Sequence, residues 1–257
     1  MKFTRMNPYY RAALILLVAA MVLVTVAVLT GRNDLISAAL VLAALTCLLT
    51  GIFISLLSTG DPVDSRYTSL LAVPGSISLS RVAADLGILG NACIIPKNTN
   101  GMSDTMQFLP VSEYDGSPLP TDTFVATVTA AGLLIVPSGS HLLRKLENAD
   151  NLAIPREIAA IGDLIQEVGV DVIEVADRVT VSEDGGQIIV TMAEYRFLPG
   201  CRAMAAESIK CCTTNPCPVC SLYACILAEG TGKVVRVERC SADPGTGLVT
   251  AIFSLQP

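Results

Sequence analysis

The sequence has no tryptophan and a single histidine, and only 16% of its 257 residues are charged. One histidine excludes any catalytic or metal site that needs two imidazoles. An ordinary soluble domain is about 25% charged, so the scarcity of charge indicates a protein with a large apolar part. The mean hydropathy of +0.59 indicates the same. The composition also excludes a disordered, collagen-like or coiled-coil chain.

Two long apolar runs lie near the N-terminus. Residues 12–30 carry no charge, and neither do residues 35–60. A bilayer core about 30 Å thick requires about 20 apolar helical residues. We therefore predict transmembrane helices at about 12–30 and 35–58, within residues 1–60. A secretory signal peptide is the alternative for the first run, but its apolar stretch spans only about 7–15 residues.

The basic residues around these runs predict how they are oriented. Only residues 31–34 separate the two runs, so the spans form an antiparallel hairpin. Lys2, Arg5 and Arg11 precede the first run, whereas the turn holds Arg32 beside Asp34. By the positive-inside rule both ends of the hairpin face the cytoplasm. The expected location is the cell membrane, with two spans in the lipid bilayer and a cytoplasmic soluble region.

The rest of the chain is predicted to be soluble and acidic. Residues 59–257 hold 13 Lys and Arg against 22 Asp and Glu, a net charge of 13 − 22 = −9. This charge disfavours nucleic acid and anionic lipid surfaces as partners. We predict a linker at 61–66, an α+β subdomain at 67–150 and a cysteine-rich α+β subdomain at 151–257.

Periodicity and turn residues indicate a mixed α+β architecture for the soluble region. Helices and strands that are mostly joined by hairpins follow one another along it. The main expectations are a helix capped by Ser78 or Ser80, strands at 92–96, 106–111 and 124–136, a helix at 141–148, a helix from Pro155 to Gly169, strands at 173–181 and 187–197 around a turn at 183–186, a helix at 218–229, and strands at 234–239 and 248–255.

Cysteine is the only residue type with chemistry that is concentrated in one region. Of the nine cysteines, seven lie between residues 201 and 240: Cys201, Cys211, Cys212, Cys217, Cys220, Cys225 and Cys240. Thiols converge in disulfides, in zinc or iron–sulfur sites, and in thiol redox sites. The predicted cytoplasmic orientation disfavours a static disulfide framework.

The motif Cys217-Pro218-Val219-Cys220 has the spacing that lets two sulfurs reach one metal ion or each other. Proline suits the first turn of a helix, so the motif is expected at the N-terminus of the helix at 218–229. Backbone N–H groups and the helix dipole stabilise a thiolate there. Because thiolate is both a metal ligand and a redox nucleophile, three interpretations stay open: a metal site, reversible thiol redox, and small buried thiols. For a metal, we expect zinc on Cys217 and Cys220, joined by Cys212, Cys225 and Cys240.

Two resemblances accompany these motifs. From about residue 154 onward, the order helix, hairpin, cysteine-bearing helix and final hairpin resembles the small-molecule-binding domain of the 4-vinyl reductase type. The segment containing Val237-Glu238-Arg239-Cys240 and Gly245-Thr246-Gly247 carries this likeness. The whole chain, with its two spans and the section "FLPV…GLLIVPSGSHLLRKLE", resembles uncharacterised membrane proteins of methanogenic and halophilic archaea.

Three functions are compatible with these features. The first is a membrane-anchored cytoplasmic binding or sensing module, not catalytic, with the cysteines as its site. The second is a thiol–disulfide oxidoreductase that uses Cys217 and Cys220. The third is a structural or accessory subunit of a membrane complex or homo-oligomer, with the hairpin as its assembly surface.

Overall fold

The computed structural model describes residues 8–30, 35–57, 64–99, 101–149, 151–208, 210–243 and 245–256. It divides into two compact units, residues 1–63 and 64–257. The turn predicted at 31–34 and residues 61–63 of the linker predicted at 61–66 lie outside the described residues. The rest of that predicted linker differs from the structure, because a helix already begins at Ser65.

The first unit consists of two long helices, α1 (Pro8–Thr30) and α2 (Leu35–Leu57). Both are long and apolar enough to cross a membrane. They pack antiparallel through small residues: Ala13, Ala20 and Ala44 are buried, and a Cβ on Gly51 would lie 3.3 Å from the Ala13 carbonyl oxygen. Small residues permit such close contact between helix backbones. Most of the larger apolar side chains point away from the partner helix and are exposed.

The second unit is a mixed α+β fold, as the sequence predicts. Its elements are α3 (Ser65–Leu71), α4 (Val73–Asp85), β1 (Cys93–Ile95), β2 (Met106–Pro110), β3 (Phe124–Ala126), β4 (Ala131–Ile135), α5 (Ser140–Ala149), α6 (Ile158–Glu167), a π-helical turn (Val168–Val172), β5 (Arg178–Asp184), β6 (Gln187–Ala193), α7 (Leu198–Glu207), α8 (Cys211–Thr214), α9 (Pro218–Thr231), β7 (Val235–Ala242) and β8 (Val249–Leu255).

The strands form one antiparallel sheet in the order β3-β4-β2-β1-β7-β8-β6-β5. Both predicted subdomains, 67–150 and 151–257, contribute strands to it, and they meet where β1 pairs with β7. Successive side chains of a strand point to opposite faces. Accordingly, Ile94 lies in the main core, whereas Cys93 and Ile95 lie in a second, smaller core.

Helix α9 is the centre of the main core. Of its 14 residues, 11 are buried, and it contacts β1, β7, α5 and α6. The stretch Cys211–Thr231 is also long and apolar enough to cross a membrane, but 89% of an 18-residue window within it is buried in the fold. Burial on all sides explains why this helix is apolar all round.

Several predicted elements differ from the structure. The strand predicted at 124–136 is a hairpin, because Thr127 closes a turn by accepting the Ala130 N–H at 2.9 Å. The helix predicted to be capped by Ser78 or Ser80 begins earlier, at Val73, with Pro74 in its first turn. Ser78 lies inside that helix and donates to the Pro74 carbonyl. The strand predicted at 173–181 begins only at Arg178, because the π-helical turn extends the preceding helix.

Candidate functional site: a cysteine cluster around Cys217

Five thiols line one small cavity in the second unit. They are Cys201, Cys212, Cys217, Cys220 and Cys240, and the remaining lining is formed by Ala205, Ser241, Ala242 and Val249. The thiols come from separate elements: α7, α8, the start of α9, and β7. All nine cysteines of the chain are free thiols in the structure.

Cys217 occupies the N-cap of α9, with extended backbone dihedrals (φ −58°, ψ 159°) and Pro218 as the first helical residue. Proline fits this place because the first helical N–H has no partner within the helix. The unpaired N–H groups and the helix dipole create a positive potential at Cys217. The sequence predicted this placement, and the structure confirms it.

The surroundings of Cys217 favour its thiolate. The pKa of Cys217 lies well below the ordinary value, chiefly because the thiol of Cys201 donates to its sulfur and next because the thiol of Cys220 does. The backbone N–H of Cys220 and the hydroxyl of Tyr195 add to this lowering, which exceeds the opposing effect of burial. The Tyr195 hydroxyl lies 3.8 Å from Cys217 Sγ.

The neighbouring thiols are held in the neutral form. The hydrogen bond to Cys217 is the main cause of the raised pKa values of Cys201 and Cys220, and burial raises both further. Burial is the main cause that raises the pKa of Cys212 to about 12. Cys217 is therefore the member of the cluster whose thiolate form is favoured, and its neighbours are thiols with raised pKa values.

Tyr195 closes one side of the cluster and is fixed by its packing. It is buried, and its ring meets Phe197 edge-on, with centroids 6.0 Å apart and an interplanar angle of 74°. Burial, followed by the charge of Cys217, raises the pKa of Tyr195 well above its ordinary value. Its hydroxyl therefore stays protonated and serves as a donor.

The cavity among the thiols has a volume of about 20 Å³. A cavity needs roughly 10–15 Å³ to hold one water molecule, whereas pockets for organic ligands measure about 300–1,000 Å³. This cavity therefore fits one atom-sized occupant. Cys217 and Cys240 are partly exposed as residues, while Cys201, Cys212 and Cys220 are buried.

A family model described as a domain of unknown function (DUF7982) matches residues 2–253. The chain belongs to the DUF7982 family. No curated protein and no solved structure matches it. The family match covers both units, and so includes both apolar N-terminal helices and all five thiols of the cavity.

Four of the five predicted ligands of this DUF7982 member come together: Cys212, Cys217, Cys220 and Cys240. Cys225 does not. It lies five residues after Cys220, which turns its side chain about 140° around the helix, and it is wholly buried in the main core. Ser221 donates to its sulfur.

Cys201 is the cluster member that sequence reasoning missed. It is one of the seven cysteines between residues 201 and 240 but not one of the five predicted ligands. The structure starts α7 at Leu198, so that Pro199 lies in the first turn. A Cβ on Gly200 would collide with the carbonyl of Ser69. Glycine there allows α7 to approach α3.

The geometry of the cluster, as it stands, is not that of a metal site. Within the described ranges, no group of three or more His, Cys, Asp or Glu side chains is arranged so that it could hold a metal ion. Coordination would thus require the thiols to change rotamer and to converge on the cavity centre, at the Zn–S distance of about 2.3 Å.

Proposed function

We propose that this protein is a membrane-anchored, thiol-based redox sensor whose reactive group is the Cys217 thiolate. One observation carries the proposal: Cys217 caps α9 and receives S–H donation from Cys201 and Cys220. A thiolate with a lowered pKa and a thiol beside it is the arrangement that redox-active cysteines use. The other buried thiols, such as Cys93 and Cys225, have raised pKa values and no such partner set.

The proposed reaction is thiol–disulfide exchange with a disulfide R–S–S–R′ supplied by a partner molecule. The Cys217 thiolate attacks one sulfur, the S–S bond breaks, and R′S⁻ leaves as a mixed disulfide forms on Cys217. A neighbouring cysteine passes its proton to the leaving thiolate and attacks Cys217 Sγ, which releases RS⁻. The Cys217 thiolate and the neighbouring thiol are oxidised to one disulfide, and the partner disulfide is reduced to the thiol R′SH and the thiolate RS⁻.

Cys201 is the favoured second cysteine for a sensor. Cys201 lies on α7 and Cys217 on α9, so a disulfide between them joins two helices. A disulfide between Cys217 and Cys220 spans less than one helical turn and constrains little beyond it. The Cys201–Cys217 disulfide can change how α7 packs, and a sensor needs such a change in structure to transmit its redox state.

The two N-terminal helices provide the proposed anchor. Their length and hydropathy suit a bilayer, and the excess of basic residues before the first helix supports a cytoplasmic N-terminus. The thiol cluster then faces the reducing cytoplasm, where free thiols persist. A reporter fused after Pro257 should be active inside the cell, and activity only outside it would contradict this orientation.

The redox proposal is tested with the full chain in detergent. We expect incubation with a small aromatic disulfide to convert two thiols into a Cys201–Cys217 disulfide, identified by peptide mass spectrometry without reduction. The Cys217→Ser variant should lose this reaction, whereas the Cys225→Ser variant should keep it. If the cysteines of the wild-type cluster stay reduced although the aromatic disulfide can reach the protein surface, the redox proposal fails.

Metal binding is a second candidate, favoured by the size and lining of the cavity. Five thiols surround a space of about 20 Å³ that suits a single ion, and thiolates are ligands for zinc and other soft metals. Cys217, Cys220, Cys212 and Cys240 would be the ligands after a change of rotamer, since the described thiols as they stand are not arranged to hold a metal ion. Zinc would act as a structural or sensed ion there, and its binding energy would appear as stability of the fold.

Metal analysis separates the two candidates. A zinc protein should purify with close to one equivalent of zinc, and the Cys217→Ser variant should lose the metal. A redox protein should purify free of metal and react rapidly with the disulfide.

The same cavity disfavours the organic ligand that the resemblance to the 4-vinyl reductase type would suggest at this place, because only an atom-sized occupant fits.

A further inference from the structure

A second pocket of the soluble unit, with a volume of about 280 Å³, shares no lining residue with the thiol cavity. It lies beside the smaller core, since Cys93 and Tyr114 belong to that core and also line the pocket. Residues 89–91, residues 110–113, Lys210 and Arg236 form the rest of its lining. The volume is close to the lower end of the range of about 300–1,000 Å³ for pockets that hold organic ligands.

Hydrogen bonds fix the two sides of this pocket relative to each other. The Gly90 N–H donates to the Pro110 carbonyl at 3.0 Å, and a Cβ on Gly90 would lie 2.6 Å from that oxygen. A larger residue at this position would therefore push the two segments apart. The side-chain amide of Asn91 donates to the Glu238 carbonyl at 3.4 Å. The pocket is thus built into the fold, as small-molecule sites usually are.

Arg236 supplies hydrogen-bond donors to the pocket. It lies on β7 opposite Cys93 of β1 in the register of the sheet, and its side chain is only 28% exposed. Its one ion-pair partner in the described part of the chain is Glu238, and the distance of 3.6 Å between Nε and Oε1 is too long for a hydrogen bond. A guanidinium carries five N–H donors, and burying such groups without acceptors is unfavourable. The donors of Arg236 are therefore available to an acceptor that enters the pocket.

The other charged residues of the lining determine how much negative charge the pocket accepts. Lys210 Nζ donates to the Leu89 carbonyl at 3.1 Å, and its charge is not paired with a carboxylate of any described residue. Glu113 is the one carboxylate among the described lining residues, against the two cations Arg236 and Lys210. This lining therefore balances one negative charge.

The remaining walls suit an organic group. The side chains of Leu89 and Val111 line the pocket and are 65% and 42% exposed. Pro110 and the ring of Tyr114 lie beside them, both buried. Ligand pockets typically combine such apolar walls with a few polar groups that fix the orientation of the ligand.

We propose that this pocket binds a small organic molecule with one carboxylate, which pairs with the Arg236 guanidinium while Lys210 lies beside it. The planar guanidinium matches the two oxygens of a carboxylate. A phosphate dianion would bring a second negative charge close to Glu113 and Glu238, where like charges repel. This inference depends neither on the proposed membrane anchor nor on the redox chemistry of Cys217.

The test is isothermal titration calorimetry of the full chain in detergent, with benzoate as the probe. Benzamide has nearly the same shape without the charge, and inorganic phosphate reports a simple anion site. The test variant is Arg236→Gln. Arg239→Gln is the matched control, because Arg239 is on the same strand but is exposed and does not line the pocket. Lys210→Gln, at an exposed position, is the second test variant, and circular dichroism checks that each variant is folded.

We expect benzoate to bind the wild type and Arg239→Gln equally, and to bind Arg236→Gln about tenfold or more weakly, because a hydrogen-bonded charge pair is lost. Lys210→Gln should weaken binding by a smaller factor, and benzamide should not bind. Absence of benzoate binding to the wild type would overturn the proposal. Unchanged binding in Arg236→Gln, or in Lys210→Gln if Arg236→Gln does not fold, would place benzoate elsewhere and would also overturn it. Phosphate binding as tight as that of benzoate would show a site for inorganic anions instead.

Discussion

The thiol of Cys201 on α7 donates to the sulfur of Cys217 at the start of α9, and this contact is the largest cause of the lowered pKa of Cys217. The same contact raises the pKa of Cys201. The two pKa values are thus shifted in opposite directions, which favours the thiolate form of Cys217 and the thiol form of Cys201. Such a division gives the pair a nucleophile and a proton donor side by side, as thiol exchange requires.

Removing Cys201 should make Cys217 less acidic. In the Cys201→Ala variant the main donor is lost, so we expect the pKa of Cys217 to rise and its alkylation near neutral pH to slow. The measurement is the rate of iodoacetamide labelling of the Cys217 peptide as a function of pH, followed by mass spectrometry. Cys225→Ala, on the same helix but outside the cavity, is the matched control. An unchanged pH midpoint in Cys201→Ala would show that Cys201 does not stabilise the thiolate.

Gly139 should be essential for the position of α9. A Cβ there would overlap the backbone of Leu222 and Ser221, and the Gly139 N–H donates to Ser221 Oγ at 3.0 Å. We expect Gly139→Ala to destabilise the fold by about 1–3 kcal/mol or more, as overpacking does.

Gly75 provides the matched control, because its Cβ would meet no atom within 4 Å. It lies within α4, where alanine is favoured over glycine by about 0.5–1 kcal/mol. Thermal unfolding of the full chain in detergent measures both variants. Equal effects of the two substitutions would contradict the packing described around Gly139.

The hydroxyl of Tyr223 should contribute nothing to stability. It is buried and has no hydrogen-bond partner among the described residues. It packs against Gly169, since a Cβ added to Gly169 would collide with it. Because burying an unpaired hydroxyl is unfavourable, Tyr223→Phe should be neutral or stabilising by up to about 1 kcal/mol. Tyr114→Phe is the contrasting variant: it removes a 2.6 Å hydrogen bond to the Ser117 carbonyl and should cost about 0.5–1.5 kcal/mol. Thermal or denaturant unfolding compares the two.

Stability should fall at alkaline pH. Burial raises the pKa of Cys93, Cys212 and Cys225 from 9.0 to about 12. The folded state therefore binds these protons more tightly than the unfolded state, so their contribution is complete below pH 9 and is lost as the pH rises towards 12. Cys217 has the opposite sign, since its lowered pKa contributes most above pH 9 and is lost as the pH falls through its folded value.

The unfolding temperature measured between pH 8 and 12 checks this expectation. The wild type should lose stability across this range, and Cys225→Ala should show a shallower decline because one of the thiols with a raised pKa is gone. A parallel decline in the variant would mean that groups other than the buried thiols cause the alkaline loss.

Local features of the second unit were readable from the sequence. The hairpin of β5 and β6 follows from alternating residues around Gly185 and Gly186, both of which adopt a positive φ. The start of α9 follows from the proline after Cys217. The prediction of one strand at 124–136 was wrong because the β3–β4 turn contains neither glycine nor proline. The side chain of Thr127 closes this turn, so the structure has two strands there.

The sequence by itself determined the two apolar N-terminal helices, the mixed α+β class and the thiol at the head of α9, because each depends on spacing within one segment. Only the tertiary structure decided that Cys201, Cys212 and Cys240 join Cys217 and Cys220 while Cys225 faces the core. It also decided that β1 pairs with β7 to make one sheet. The physical reason is that periodicity reports which side of an element is apolar, whereas the choice of neighbouring element depends on how all the apolar sides pack together.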